Sequence, residues 1–150
     1  MTIKKMVFEK KETGIIAGFL FGLNIEKNKK LSRLRTRVAN RFSDLDEALQ
    51  KERLELFKDF AEKDTDGEVI VAEDGSFKLK DVKGAEKELT VLLEEKISMD
   101  VGDYSNNVKP LMDYLYSDDY EFDLEGANAY AYDCLLTAWE ESQEETGEEE

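Results

Sequence analysis

The apolar residues Leu31, Leu34, Val38, Phe42, Leu45, Leu49, Leu56 and Phe60 are spaced three, four or seven apart. That spacing puts them on one stripe of an α-helix and fits no strand. Neither Pro nor Gly interrupts Lys29–Lys63, so the pattern predicts one helix of about 35 residues, roughly 50 Å long at 1.5 Å per residue. Such a rod is far longer than an ordinary globular helix and needs packing partners from the rest of the chain.

Upstream, Thr2–Phe8 alternates loosely and reads as a short strand, and Gly14–Ile25 carries no charge. This run is too short to span a bilayer and no small-residue cleavage site follows it, so no membrane partner is expected. Ile15, Ile16, Phe19, Leu20 and Leu23 share a helical face, predicting a buried helix over Glu9–Ile25. Gly14, Gly18 and Gly22 form a ridge suited to close packing on the long helix. Downstream, Asp66-Gly67 and Asp74-Gly75 are turn dipeptides, with β-prone Glu68–Ala72 and Ser76–Leu79 flanking the second. A β-hairpin is therefore expected at about 68–80.

Val82–Lys96 is helical again, with Ala85, Leu89, Leu92 and Leu93 inward, and would run back along Ala48–Phe60 as an antiparallel partner. A short strand is expected at Ile97–Val101. Tyr104–Ser117 contains a helix that tolerates Pro110 in its first turn and buries Val108, Leu111, Met112 and Leu115. Asp123 is the N-cap candidate of a last helix whose inner stripe is Leu124, Ala127, Ala131, Cys134, Leu135 and Ala138. No apolar side chain follows Ser142, so 142–150 reads as a solvated, mobile acidic tail on a single domain, 1–141. The expected fold class is α+β, mainly helical. It comprises a long helix, an antiparallel helical hairpin tipped by a β-hairpin, and a C-terminal helical pair on the N-terminal helix.

Composition removes much chemistry. The 150 residues contain no His, which excludes Ser-His-Asp and Cys-His nucleophile systems, His-ligated zinc and imidazole acid–base catalysis. One cysteine, Cys134, rules out an internal disulfide and suits a reducing, cytoplasmic setting. No cofactor motif is present and no catalytic set stands out. The net charge of −15 is divided: residues 1–42 hold eleven Lys or Arg against three Glu, the remainder ten against thirty-three Asp or Glu. Such a split marks an interaction surface or an attraction between the two parts.

Three constellations carry candidate chemistry. Arg33, Arg37 and Arg41 stand four apart and form a row able to track phosphates, although no aromatic is interleaved for base stacking. Glu62–Glu73 matches a calcium loop in part, through Asp64, Asp66 and Glu73. Against it, the first position is Glu and Asp74-Gly75 falls where the exiting helix should run, so no metal is expected. The acidic stretch 113–125 brings Asp113, Tyr116, Asp118, Asp119, Tyr120, Glu121 and Asp123 close in sequence. It offers carboxylates that can imitate a phosphate track, and tyrosines, with Tyr104 and Tyr114, that can anchor an interface.

Lys30-Leu-Ser-Arg33-Leu-Arg35-Thr-Arg37, Phe60-Ala-Glu-Lys-Asp64-Thr-Asp66-Gly67, Gly75-Ser-Phe77-Lys-Leu79, Leu92-Leu-Glu-Glu-Lys96 and Val108-Lys-Pro110-Leu occur in that order. In these motifs, over about residues 5–140, the chain resembles a family of small uncharacterised proteins, a domain of unknown function, from phages of Gram-positive bacteria. The resemblance implies a phage origin and a host-cytoplasmic location, and no residue roles. The expected function is a non-enzymatic phage accessory protein that binds a host or phage macromolecule through its acidic surface. Its sharpest form is a DNA-mimicking inhibitor of a host DNA-handling or defence protein. The rivals are nucleic-acid binding through the arginine row and a structural or assembly role.

Overall fold

A long helix, α2 (Lys29–Phe60), runs unbroken for 32 residues, and helices that precede and follow it in the chain pack against it. The structure, a computed structural model, describes residues 4–101 and 107–148. Asn28 caps α2 by accepting the Leu31 N–H at 3.0 Å. Leu31, Val38, Phe42 and Leu49 of the predicted stripe are buried and Leu34, Leu45, Leu56 and Phe60 half-buried. The helix stops three residues before the predicted end, because the chain from Ala61 on enters β pairing.

The proximal half of α2 carries the core. Strand β1 (Lys5–Glu9) pairs antiparallel with β2 (Lys96–Asp100), Val7 opposite Ser98. The sheet buries Met6, Phe8 and Met99, and Phe8 meets Phe42 of α2 edge-on at 5.0 Å. The N-terminal helix is shorter than expected: α1 spans Thr13–Phe21 rather than Glu9–Ile25. The strand claims residues through Glu9, and Lys10–Glu12 forms a 3-10 turn whose Glu12 carboxylate accepts the Glu9 N–H at 2.8 Å. Helix α1 packs on both α2 and α5 (Ala127–Glu148). Being apolar nearly all round suits a helix enclosed by protein, and Ile16, Ala17, Phe19 and Leu20 are buried.

The glycine ridge is not what brings α1 onto α2. A Cβ at Gly14 would meet the Asp46 carboxylate of α2 at 2.8 Å, but one at Gly18 would meet nothing within 4 Å, and one at Gly22 only its own helix. Among the described residues, no helix is long and apolar enough to cross a membrane.

Beyond Leu49 the structure becomes a slender arm. Helix α3 (Val82–Glu94) runs back along α2: Lys10 bonds both Glu52 and Glu95, and Phe60 lies against Gly84 at the other end. The turns at Asp66-Gly67 and Asp74-Gly75 form as expected, with φ of 81° and 87° at the glycines, a left-handed conformation that glycine adopts freely. The tip is more than a hairpin. Ala61 pairs with Leu79, Lys63 with Val69 and Val71 with Phe77. Glu62, Ile70 and Lys78 close a ring in which each N–H donates to the next carbonyl, at 2.7, 2.8 and 2.9 Å. Three segments therefore meet, each eight residues after the last.

The C-terminal pair is α4 (Lys109–Tyr116) and α5. Asp123 does not cap α5. Its Oδ1 accepts the Glu125 N–H at 2.9 Å in a local turn, and Gly126, at φ 56°, leads into the helix. Leu124 and Ala127 are consequently exposed, while Ala131, Leu135 and Ala138 are buried. Nor does the packed region stop at 141. Helix α5 continues to Glu148, Ser142 is buried with its hydroxyl donating to the Trp139 carbonyl at 2.6 Å, and Gln143 accepts from Lys4 at 2.8 Å.

Candidate functional site

The acidic stretch occupies the end of α4 and the loop 117–126 that leads to α5. Beneath it lies an aromatic bed. Tyr114 packs on Tyr120 and Phe122, with centroids 4.4 and 5.9 Å apart. Phe122 and Tyr132 in turn meet Phe19 of α1 edge-on at 6.0 and 6.1 Å, an arrangement aromatic quadrupoles favour. The Tyr132 hydroxyl donates to the Leu115 carbonyl at 2.9 Å, near the C-terminus of α4. Burial pushes the phenols of Tyr114 and Tyr132 above their ordinary pKa. The loop is thus attached through apolar contacts, which leaves its charges pointing away from the body.

Asp113, Asp118, Asp119, Glu121 and Asp123 are all exposed, as are Tyr116 and Tyr120. They do not all meet the same neighbours. Asp113, Asp119 and Tyr120 border a groove of about 540 Å³ whose other wall is Asn28, Lys30 and Leu31 at the start of α2. Tyr116 turns to α5, where its hydroxyl donates to Glu140 at 2.5 Å. Burial, and then this bond to a carboxylate, raises the Tyr116 pKa. Asp113 pairs with Lys109 at 2.9 Å one turn earlier. Among the described residues, Asp118, Asp119, Glu121 and Asp123 make no ion pair. Tyr104 lies outside the described residues.

The arginine row divides as well. Arg33 and Arg37 line a shallow groove of about 530 Å³ with Lys29, Ile25 and Thr36, and Arg41 lies a turn beyond. Arg35, which falls outside the row, is committed to structure: its guanidinium donates to the Leu20 and Leu23 carbonyls at the end of α1. A cation there satisfies orphan carbonyls and complements the helix dipole. Sequence reasoning missed this role and missed Lys30 beside the acidic loop, because both depend on how α1 and α4 sit against α2.

In the calcium-like stretch, Asp64 Oδ1 accepts the Asp66 and Glu68 N–H groups at 2.9 and 3.0 Å, the work of a turn-forming aspartate. No three Asp, Glu or Cys side chains among the described residues converge to hold a metal ion. Cys134 is half-buried, and burial together with the neighbouring Glu12 pushes its thiol up to about 12, the opposite of an activated nucleophile. No family model, curated protein or solved structure matches the chain.

Proposed function

We propose that this chain is a non-enzymatic accessory protein that uses the acidic loop 117–126 to bind a basic surface on another macromolecule. One observation carries the reading. Four exposed carboxylates, Asp118, Asp119, Glu121 and Asp123, have no ion pair among the described residues and sit on an aromatic bed. Their mutual repulsion is relieved when a cationic surface covers them. The exposed ring of Tyr120 supplies the amphipathic contact area that interface cores favour. The phage resemblance gives this reading its sharper form, a DNA mimic that occupies the nucleic-acid groove of a host DNA-handling or defence protein in the host cytoplasm.

Immobilised chain and a quadruple variant, Asp118→Asn, Asp119→Asn, Glu121→Gln and Asp123→Asn, are incubated with nuclease-treated lysate of a Gram-positive host. The expected result is a DNA-handling protein retained by the parent chain alone, released by salt and displaced by duplex DNA. Equal retention by the variant sinks the loop as the binding surface. A second reading has its own observation, the Lys29–Arg33–Arg37 groove. Recovery of nucleic acid from untreated lysate, lost on Arg33→Ala with Arg37→Ala, favours it instead.

A further inference from the structure

The arm holds a second surface, at the opposite end of the molecule from the acidic loop. Between α2 and α3 runs an open groove of about 610 Å³, floored by Leu56, Phe60, Val91 and Leu92. Val91 is 55% exposed on this floor, so apolar area remains uncovered. The walls are mainly acidic, with Glu52, Glu55, Asp59, Glu88 and Glu95 set against Lys51, and a second cation lies at one end. Lys10 lies there with its ammonium 3.1 Å from Glu52 of α2 and 2.7 Å from Glu95 just after α3, bridging the seam. Asp59, seven residues after Glu52, and Glu88, seven residues before Glu95, line the same groove. The two segments run antiparallel, so both acids are displaced in the same direction along the seam, Asp59 by two helical turns of α2 or about 10 Å. Among the described residues, neither Asp59 nor Glu88 has an ion pair.

We propose that this groove docks a basic amphipathic helix of a partner protein. The partner's Lys or Arg takes the place between Asp59 and Glu88 that Lys10 takes between Glu52 and Glu95, while its apolar side chains cover Val91 and Leu56. Charge selects this occupant over the alternatives. Two copies meeting groove to groove would set acidic walls against acidic walls. The basic row of a second copy has arginines but no apolar stripe for the floor, because Arg33 and Arg37 flank Ser32 and Thr36. The chain's own C-terminal segment is acidic. A helix laid in a groove engages through anchors at i, i+3 or i+4, and i+7, and Asp59 follows Glu52 on α2 by two such turns.

The probe is a fluorescent 14-residue Leu/Lys peptide patterned as an amphipathic helix, titrated with the full chain. A scrambled peptide of the same composition serves as the control. Binding of the patterned peptide is expected to exceed that of the scrambled one at least tenfold. It should fall at least tenfold with Val91→Lys or with Asp59→Asn plus Glu88→Gln, and change less than twofold in the quadruple loop variant. Both groove variants alter exposed side chains, and unchanged circular-dichroism melts verify that they fold. Equal binding of the two peptides, or indifference to the groove variants, overturns the proposal. So does light scattering that finds a dimer abolished by Val91→Lys, which would assign the groove to a second copy.

Discussion

Phe42 and Phe60 lie eighteen residues apart on one helix, about five turns, and meet different surroundings. Phe42 is fully enclosed beneath Phe8 of the sheet, within a core that takes in both strands, α1, α4 and α5. Phe60 is half-buried at the end of α2, against Gly84 and the β-tip. The arm buries only Leu49, Ala61, Ala85 and Leu92 among its apolar side chains, two of them alanines, and none belongs to the main core. The body therefore holds α2 rigid while the arm extends a thinly packed seam. Regions with few enclosed contacts open most easily and have surface left for a partner. A continuous hydrophobic stripe thus marks a continuous helix without marking uniform stability along it.

The strongest test of that contrast compares one substitution in two places. Phe42→Ala removes a fully buried ring and should cost about 3–5 kcal/mol. Phe60→Ala should cost about 1–2 kcal/mol, since half of the transfer term is already forgone. Denaturant titrations followed by the fluorescence of Trp139, which lies in the body, measure the first. Amide exchange in α3 measures the second, with faster exchange confined to the arm. Equal losses at the two sites would mean that arm and body unfold as one unit.

How far the sequence discloses this division depends on the range of the signal. The α2 stripe, the Gly67 and Gly75 turns, α3 and both strands rest on local periodicity and turn chemistry, and all are present to within a few residues. The three-segment ring of Glu62, Ile70 and Lys78 needed pairing between segments that no local pattern specifies. Ser142 looked solvated because it is polar, yet a serine that bonds a carbonyl three residues back can be buried without penalty. The loop acids were visible as composition. Their division between a groove beside Lys30 and a contact with α5 was not, and the meeting of Asp59 and Glu88 in one groove exists only once α3 folds back.

Alkaline titration sharpens the comparison, because the arm contains no tyrosine and the phenols among the described residues all lie in the body. Burial raises the pKa of Tyr114, Tyr116 and Tyr132. The folded state then holds protons that the unfolded chain releases near pH 10. Stability is accordingly intact below about pH 10 and declines as pH rises toward the folded values. Denaturant midpoints should be flat from about pH 7 to 9 and fall above about pH 10, together with late phenolate absorbance. Phenols titrating normally in the folded chain would mean that the bed under the acidic loop is as open as the arm.

The smallest effect concerns a single atom. Cys134 Sγ lies in the body on α5, with its thiol pushed up to about 12 by burial and then by Glu12. A raised pKa keeps the proton on sulfur at neutral pH, and the thiolate is the species that alkylating agents attack. At about pH 8, iodoacetamide should modify native Cys134 at least tenfold more slowly than the denatured chain. Placing the same group on the arm completes the contrast: Val91→Cys in a Cys134→Ser background puts sulfur at a position 55% exposed. Its negative neighbours Glu88 and Glu95 disfavour the thiolate modestly, but solvent stabilises it, so its rate should stay within a few-fold of the denatured value. Comparable protection at both positions would place the floor of the groove inside a closed core, and the distinction between body and arm would fail there.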